Sequence, residues 1–287
     1  MRPPFKKDGS FLINCRPLNN SVYVLLAEIM REFITLKRYF LESLSGLVMV
    51  YILFLGFFFS SQGFSGQPLI QTDHSTDLAH RAVGFILWLF ALNSVGHFSN
   101  AIRDESHIGI MEQIALSPSG LIVDLWGRAI GKTLVDCLTI GLVLILIMLT
   151  ADISLRFPPL SVGIVFMLTL LGLYGLAFFF GGLTLIYKRL GNVTIVIRFA
   201  FLILTGAITP LENFPLWLQI VAKTLPMTQG LKILRLLMIE NRSFAYVLAS
   251  GDFVMLVTNS ACYITFGLIS FKLFEKMARH KGLLGVY

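Results

Sequence analysis

Charged residues are absent from five long stretches of the chain: Ser43–Thr72, Ala82–Ile102, Cys137–Ala151, Phe157–Tyr187 and Phe253–Phe271. A helix crosses about 30 Å of hydrocarbon with roughly 20 apolar residues. Four of the stretches reach that length alone, and Cys137–Ala151 does so once extended back to Ala129. A sixth, Asn192–Thr209, is apolar except for Arg198. The pattern predicts an all-α integral membrane protein with six spans, at about 43–62, 82–102, 129–150, 160–187, 192–209 and 253–273, in a single transmembrane domain over 1–287.

Between these spans the pattern changes character. In Ser21–Phe40, Leu26, Met30, Phe33 and Leu36 recur at helical spacing, with Glu28, Arg31, Glu32 and Arg38 largely on other faces. Such a helix either lies in the membrane interface, apolar side down, or extends span one into the cytoplasm. The 210–252 segment is apolar in short pieces broken by Pro210, Pro215 and Pro226. Trp217–Leu225 is too short to cross, so it dips into the bilayer or lies flat, with Trp217 at headgroup depth.

Composition agrees: 56% of residues are hydrophobic and 14% charged, with 25 Phe, too apolar to cover a soluble surface. The net charge of +7 belongs to residues that flank spans, so it reports orientation rather than nucleic-acid binding. Seven Lys and Arg precede residue 43 and four follow the last span, whereas the loops after spans one and three carry only Arg81 and Arg156. Both termini are therefore expected in the cytoplasm, in a multi-pass protein of the plasma (inner) membrane. The 210–252 segment runs against this rule, with Lys223, Lys232, Arg235 and Arg242 on the outer side. No signal peptide is expected, because the first apolar span lies beyond residue 40 behind charged residues. Cys15, Cys137 and Cys262 have neither metal-ligand spacing nor the makings of a disulfide framework.

The stretch WGRAIGKT (Trp126–Thr133) looks like a phosphate loop and is not one. Gly127 and Gly131 are separated by three residues where four are needed, and no strand precedes them. On a helix the same residues read differently. Gly127 and Gly131 form a small-xxx-small pair that lets another helix approach, for packing or dimerisation. Asp124, Arg128, Lys132 and Asp136, each four apart, form one stripe of alternating charge. Asp136 lies deepest, with Lys132 as its expected partner, and the stripe either fixes packing or couples conformations.

The segment RDESHIGIMEQIALSPSG (Arg103–Gly120) joins spans two and three. It reads as a short helix over about His107–Ala115, stopped near Pro118, presenting Glu105 and Glu112 to solvent beside an apolar ridge suited to docking. GIMEQIALSP resembles the Gly-x-x-Glu-x-x-x-x-(Ser/Thr)-Pro segment of permease subunits of ABC type 2 exporters. LPMTQGLKILR (Leu225–Arg235) is similar to that family's signature before the last span, with Gln229 where His, Arg, Ser or Tyr is usual. The resemblance implies a half-transporter without a nucleotide site. ATP and Mg would sit in a separate ABC ATPase subunit, and a second permease copy or paralogue would complete the membrane part. It also implies that the cytoplasmic helix, Ile108–Ala115, is a coupling helix against the ATPase. Glu112 would lead, with Ile108, Gly109, Met111, Glu105 and Arg103 in support, and Arg31–Arg38 would make a second contact.

Arg198, about 9 Å inside span five, either snorkels or faces a pathway where it meets an anionic group. His97 reads as a packing histidine. The Phe57–Phe59 and Phe178–Phe180 runs suit lipid contact or a path for lipidic cargo. A greasy pathway fits a lipid, lipid-linked glycan, hydrophobic drug or peptide better than a small ion. A proton-coupled transporter would want deep acids in several spans, and only Asp136 qualifies. A membrane enzyme would need a clustered set, yet His74, His80, His97, His107 and His280 are scattered.

Overall fold

The computed structural model describes residues 17–64, 74–117, 120–187, 190–206 and 214–282. Cys15, Pro118 and Pro210 lie outside them. The described elements are all helical: α1 (Pro17–Arg38), α2 (Phe40–Phe64), α3 (His74–Ile108), α4 (Met111–Leu116), α5 (Gly120–Ala151), α6 (Pro159–Tyr187), α7 (Gly191–Leu204), α8 (Leu216–Thr224), α9 (Pro226–Met238), α10 (Phe244–Ala249) and α11 (Gly251–His280).

Four of these helices, α3, α5, α6 and α11, are long and apolar enough to cross a membrane. A fifth span is made if α1 and α2, bent by 82° between Val22–Arg38 and Phe40–Gly56, count as one broken element. That bend excludes α1 as a straight extension of span one. The expected fifth span at 192–209 is shorter in the structure: α7 has 14 residues, about 21 Å of helix, and Gly206 (φ +73°) ends it in a left-handed turn. α3, in contrast, runs well beyond the charge-free stretch at both ends, because Asp, Arg and His at a helix end cost little when water or partners meet them.

The bundle is held by close backbone approach. α6 and α11 meet through Gly175 and Gly267, where a Cβ on either would overlap the backbone of the other helix. Gly182 lies under Phe271, whose Cα is 3.1 Å from where a Cβ would stand. In a membrane, where no water is released between spans, such contact is a main source of association. An aromatic cluster fills the centre: Phe178 packs against Phe98 (ring centroids 4.6 Å), Trp126 (5.4 Å) and Phe271 (5.5 Å). Phe178 and Phe180 are buried, which corrects the expectation that this run faces lipid or cargo. Phe57–Phe59 fall outside the described side chains.

At one end, α8, α9 and α10 form a compact cap. α8 leaves Trp217 exposed, while α9 is buried along nearly its whole length. The basic residues that defied the charge rule have local work here. Lys232 pairs with Asp252 (2.7 Å) and Arg242 with Glu240 (3.7 Å). Arg235 donates to the carbonyls of His80 (2.9 Å) and Gly206 (3.1 Å), tying α9 to α3 and to the end of α7.

Gly175→Ala should therefore lower stability by about 1–3 kcal/mol through overpacking. Gly163→Ala, on the same helix with nothing within 4 Å, should be neutral or stabilising by up to about 1 kcal/mol. Thermal unfolding in detergent micelles reads both, and equal melting temperatures would refute the close α6–α11 contact.

Candidate functional site

At the opposite end α3, α4, α5, α1 and α11 converge. α3 stops because Gly109 takes φ +78°, a backbone conformation few other residues tolerate. The Ile110 N–H then reaches the Glu105 carbonyl (3.2 Å) and the Gly109 N–H that of Ser106 (3.1 Å), closing a Schellman cap. The expected single helix over His107–Ala115 is thus two pieces, the last turn of α3 and α4.

α4 has a fixed side and an open side. Met111 and Ala115 are buried, and Arg279 of α11 donates to the Ala115 carbonyl (2.8 Å), satisfying a group that the helix end leaves free. Glu275 orients Arg279 from one turn away (2.7 Å). On the other side Glu112 and Gln113 are exposed, flanked by Ile108 at 72% and Leu116 at 74% exposure. Met111 consequently belongs to the core and not to an outer contact surface: a six-residue helix must bury one face to stay in place. Arg103 is part-exposed beside Asp104 (3.6 Å).

Glu105 is also corrected. Rather than facing solvent, it is 2% exposed and ion-paired with Arg128. Arg128 is shared with Asp124 (2.9 Å) and with Glu28 of α1 (3.5 Å), and Arg31 approaches Glu28 from outside (3.3 Å). Three carboxylates from three helices thus surround one buried guanidinium, whose planar fork suits several acceptors at once. Deeper along the stripe, Lys132 pairs with Asp136 (3.0 Å).

α1 reaches Arg128 because α5 is bare where they cross. A Cβ at Gly127 would stand 3.1 Å from the Glu28 Cβ, and one at Gly131 would stand 3.0 Å from the Ile29 Cα. The glycine pair is thus turned toward α1. The apolar stripe of α1 (Leu26, Met30, Phe33) stays exposed, free to meet the interface of a bilayer, and Arg38 lies over the Tyr39 ring (5.8 Å).

The remaining candidates lie elsewhere. Arg198 is half-buried, its guanidinium lying across Gly96 of α3 and its carbonyl accepting from Trp88 Nε1 (3.0 Å). His97 is half-buried beside Phe98, and its Nε2 has no hydrogen-bond partner among the described residues. Sequence reasoning missed Arg279, counted only as a tail charge, and the role of Glu28, placed only off the apolar face of α1. The Glu275–Arg279 spacing of four was the available signal for the first.

Arg128→Met would leave Glu28, Glu105 and Asp124 facing one another, with an expected loss of about 3–5 kcal/mol in stability. Adding Glu105→Gln should recover part of that loss in a chemical-denaturation series, whereas strict additivity would mean that the two residues do not share a buried pair.

Comparison with known proteins follows the same lines. No curated protein matches the chain. The family model for ABC-2 type transporters matches residues 23–239, from the first turns of α1 through the end of α9. A match over most of the chain, on helices apolar enough to cross a bilayer, makes this protein a multi-pass membrane permease of the ABC-2 type transporter family.

Proposed function

We propose that the chain is the membrane half of an ATP-driven exporter, worked by a separate ABC ATPase that docks at the α4 end. The observation that carries this reading is the two-sided seating of α4. Its inner face is held by Met111, Ala115 and Arg279, while Ile108, Gly109, Glu112, Gln113 and Leu116 are left open. A partner that grips the open face pushes on α3 and α5 together, because α4 is joined closely to both and Arg128 clamps them.

Moving a membrane bundle between two states requires a differential interaction of a few kcal/mol, and a partner bound equally in both states shifts nothing. ATP and Mg belong to the partner subunit. Arg31 and Arg38, on the exposed side of α1, make its second contact, and Arg103 supports the first. On this reading both termini lie in the cytoplasm, and the chain works in the plasma (inner) membrane beside a second copy or paralogue. The cargo is lipidic or amphipathic, moved outward. The proton-coupled alternative would use Asp136, the one deep acid among the spans, and that carboxylate is paired with Lys132 (3.0 Å).

Purification in mild detergent from the native cell should recover an ATP-binding subunit with the wild-type chain. Glu112→Lys, at an exposed position, should deplete it about tenfold without changing the melting temperature. Intact recovery of the chain with no ATPase from either sample, under conditions that preserve such complexes, would refute the reading.

A further inference from the structure

Among the described residues the buried charges have partners, and the half-buried Arg198 stands out from them. Arg128 has three carboxylates and Lys132 has Asp136. The Arg198 Nε is buried without any hydrogen-bond partner among the described residues, and no carboxylate pairs with its guanidinium there. The next charged residue along the face of α3 that Arg198 covers is another cation, Arg103.

Nor does Arg198 escape by stretching toward water. It lies seven residues into α7, about 10 Å along the helix. Its guanidinium fills the space that a Cβ would occupy at Gly96. Gly96 is itself seven residues, about 10 Å, inside the point where Arg103 ends the charge-free stretch of α3. The side chain thus reaches sideways onto α3 at its own depth.

The seat is built. Gly96 admits the guanidinium, and Trp88 fixes α7 against α3 through its hydrogen bond to the Arg198 carbonyl. From Gly96, positions 99, 100 and 103 continue one face of α3 toward its end, as Ser99, Asn100 and Arg103. The buried Ser99 hydroxyl also lacks a hydrogen-bond partner among the described residues. On α7, Arg198 stands within the buried stripe (Thr194, Phe201, Leu202), and the exposed apolar residues Ile195 and Phe199 run along one flank of it.

We infer that the α3–α7 seam is a binding site for a membrane lipid carrying a phosphate. The phosphate would sit between Arg198 and Arg103, and the acyl chains along Ile195 and Phe199. An arginine fork pairs with phosphate oxygens in bidentate fashion, and an unpaired cation at this depth is tolerated where an anion completes it. The lipid is favoured over a soluble phosphate because the open edge of the site is apolar. The inference stands on the chain's place in a membrane and does not depend on the ATPase reading, so either can fail alone.

The test uses the full chain, purified and delipidated in detergent without any ATPase, titrated with dioleoyl phosphatidic acid and followed by native mass spectrometry and melting temperature. The wild type should bind one molecule tightly and melt higher with it. Arg198→Gln should bind it at least about tenfold more weakly, and Arg198→Lys should fall between, having charge without the fork. Dioleoylglycerol, with the same chains and no phosphate, should not raise the melting temperature. Lys276→Gln, at an exposed position of α11, serves as a surface-charge control and should bind like the wild type. Equal binding by wild type and Arg198→Gln would overturn the site, and displacement of the lipid by millimolar sodium phosphate would overturn its lipid source. Should Arg198→Gln fail to fold, Arg103→Gln, at a part-exposed position, carries the same comparison: weakened binding supports the site and unchanged binding overturns it.

Discussion

A buried guanidinium that must be shared decides how one end of this bundle is arranged. Arg128 cannot stand unpaired, and its own helix supplies only Asp124. The other carboxylates come from α3 and α1, so satisfying Arg128 draws three helices to one point. Removing one member of such a cluster costs more than the cluster gains over an apolar core, so it acts chiefly as a specifier of geometry. The glycine pair at Gly127 and Gly131 makes the arrangement possible, because Glu28 comes within reach only where α5 presents bare backbone.

α3 ties this junction to the far side of the molecule. Glu105 near its last turn joins Arg128, and the His80 carbonyl near its first turns receives Arg235 from the buried α9. The central helix is gripped by arginines at both ends, with the Phe98–Phe178–Phe271 cluster packed between. The α4 end and the opposite cap are therefore joined through one continuous, packed helix.

Much of this was legible in the chain, for identifiable reasons. Charge-free stretches located α3, α5, α6 and α11, since the bilayer imposes length and composition together. Spacing of four exposed the Asp124–Arg128 and Lys132–Asp136 pairs, which are local to one helix. Contacts between helices were not legible. Glu105 looks like a solvent carboxylate until α5 is placed beside it, and Met111 looks like part of an outer ridge until α4 is given an inner face. Arg279 lies far along the chain from the Ala115 carbonyl that it caps, and no periodicity links such distant positions. The missing length of α7 turns on Gly206, which in sequence resembles any other glycine of a membrane helix.

The bend at Tyr39 has a mechanical meaning. α1 is pinned along α5, while α2 leaves it at 82° across a single residue. The 25 residues of α2 make a rod about 37 Å long, hinged at one end. A tilt of only about 5° at the hinge carries its far tip about 3 Å, the ordinary geometry of a lever of that helical length. Because Phe54, part-way along that rod, is buried against Phe85 of α3, such a tilt is shared with the central helix rather than confined to α2.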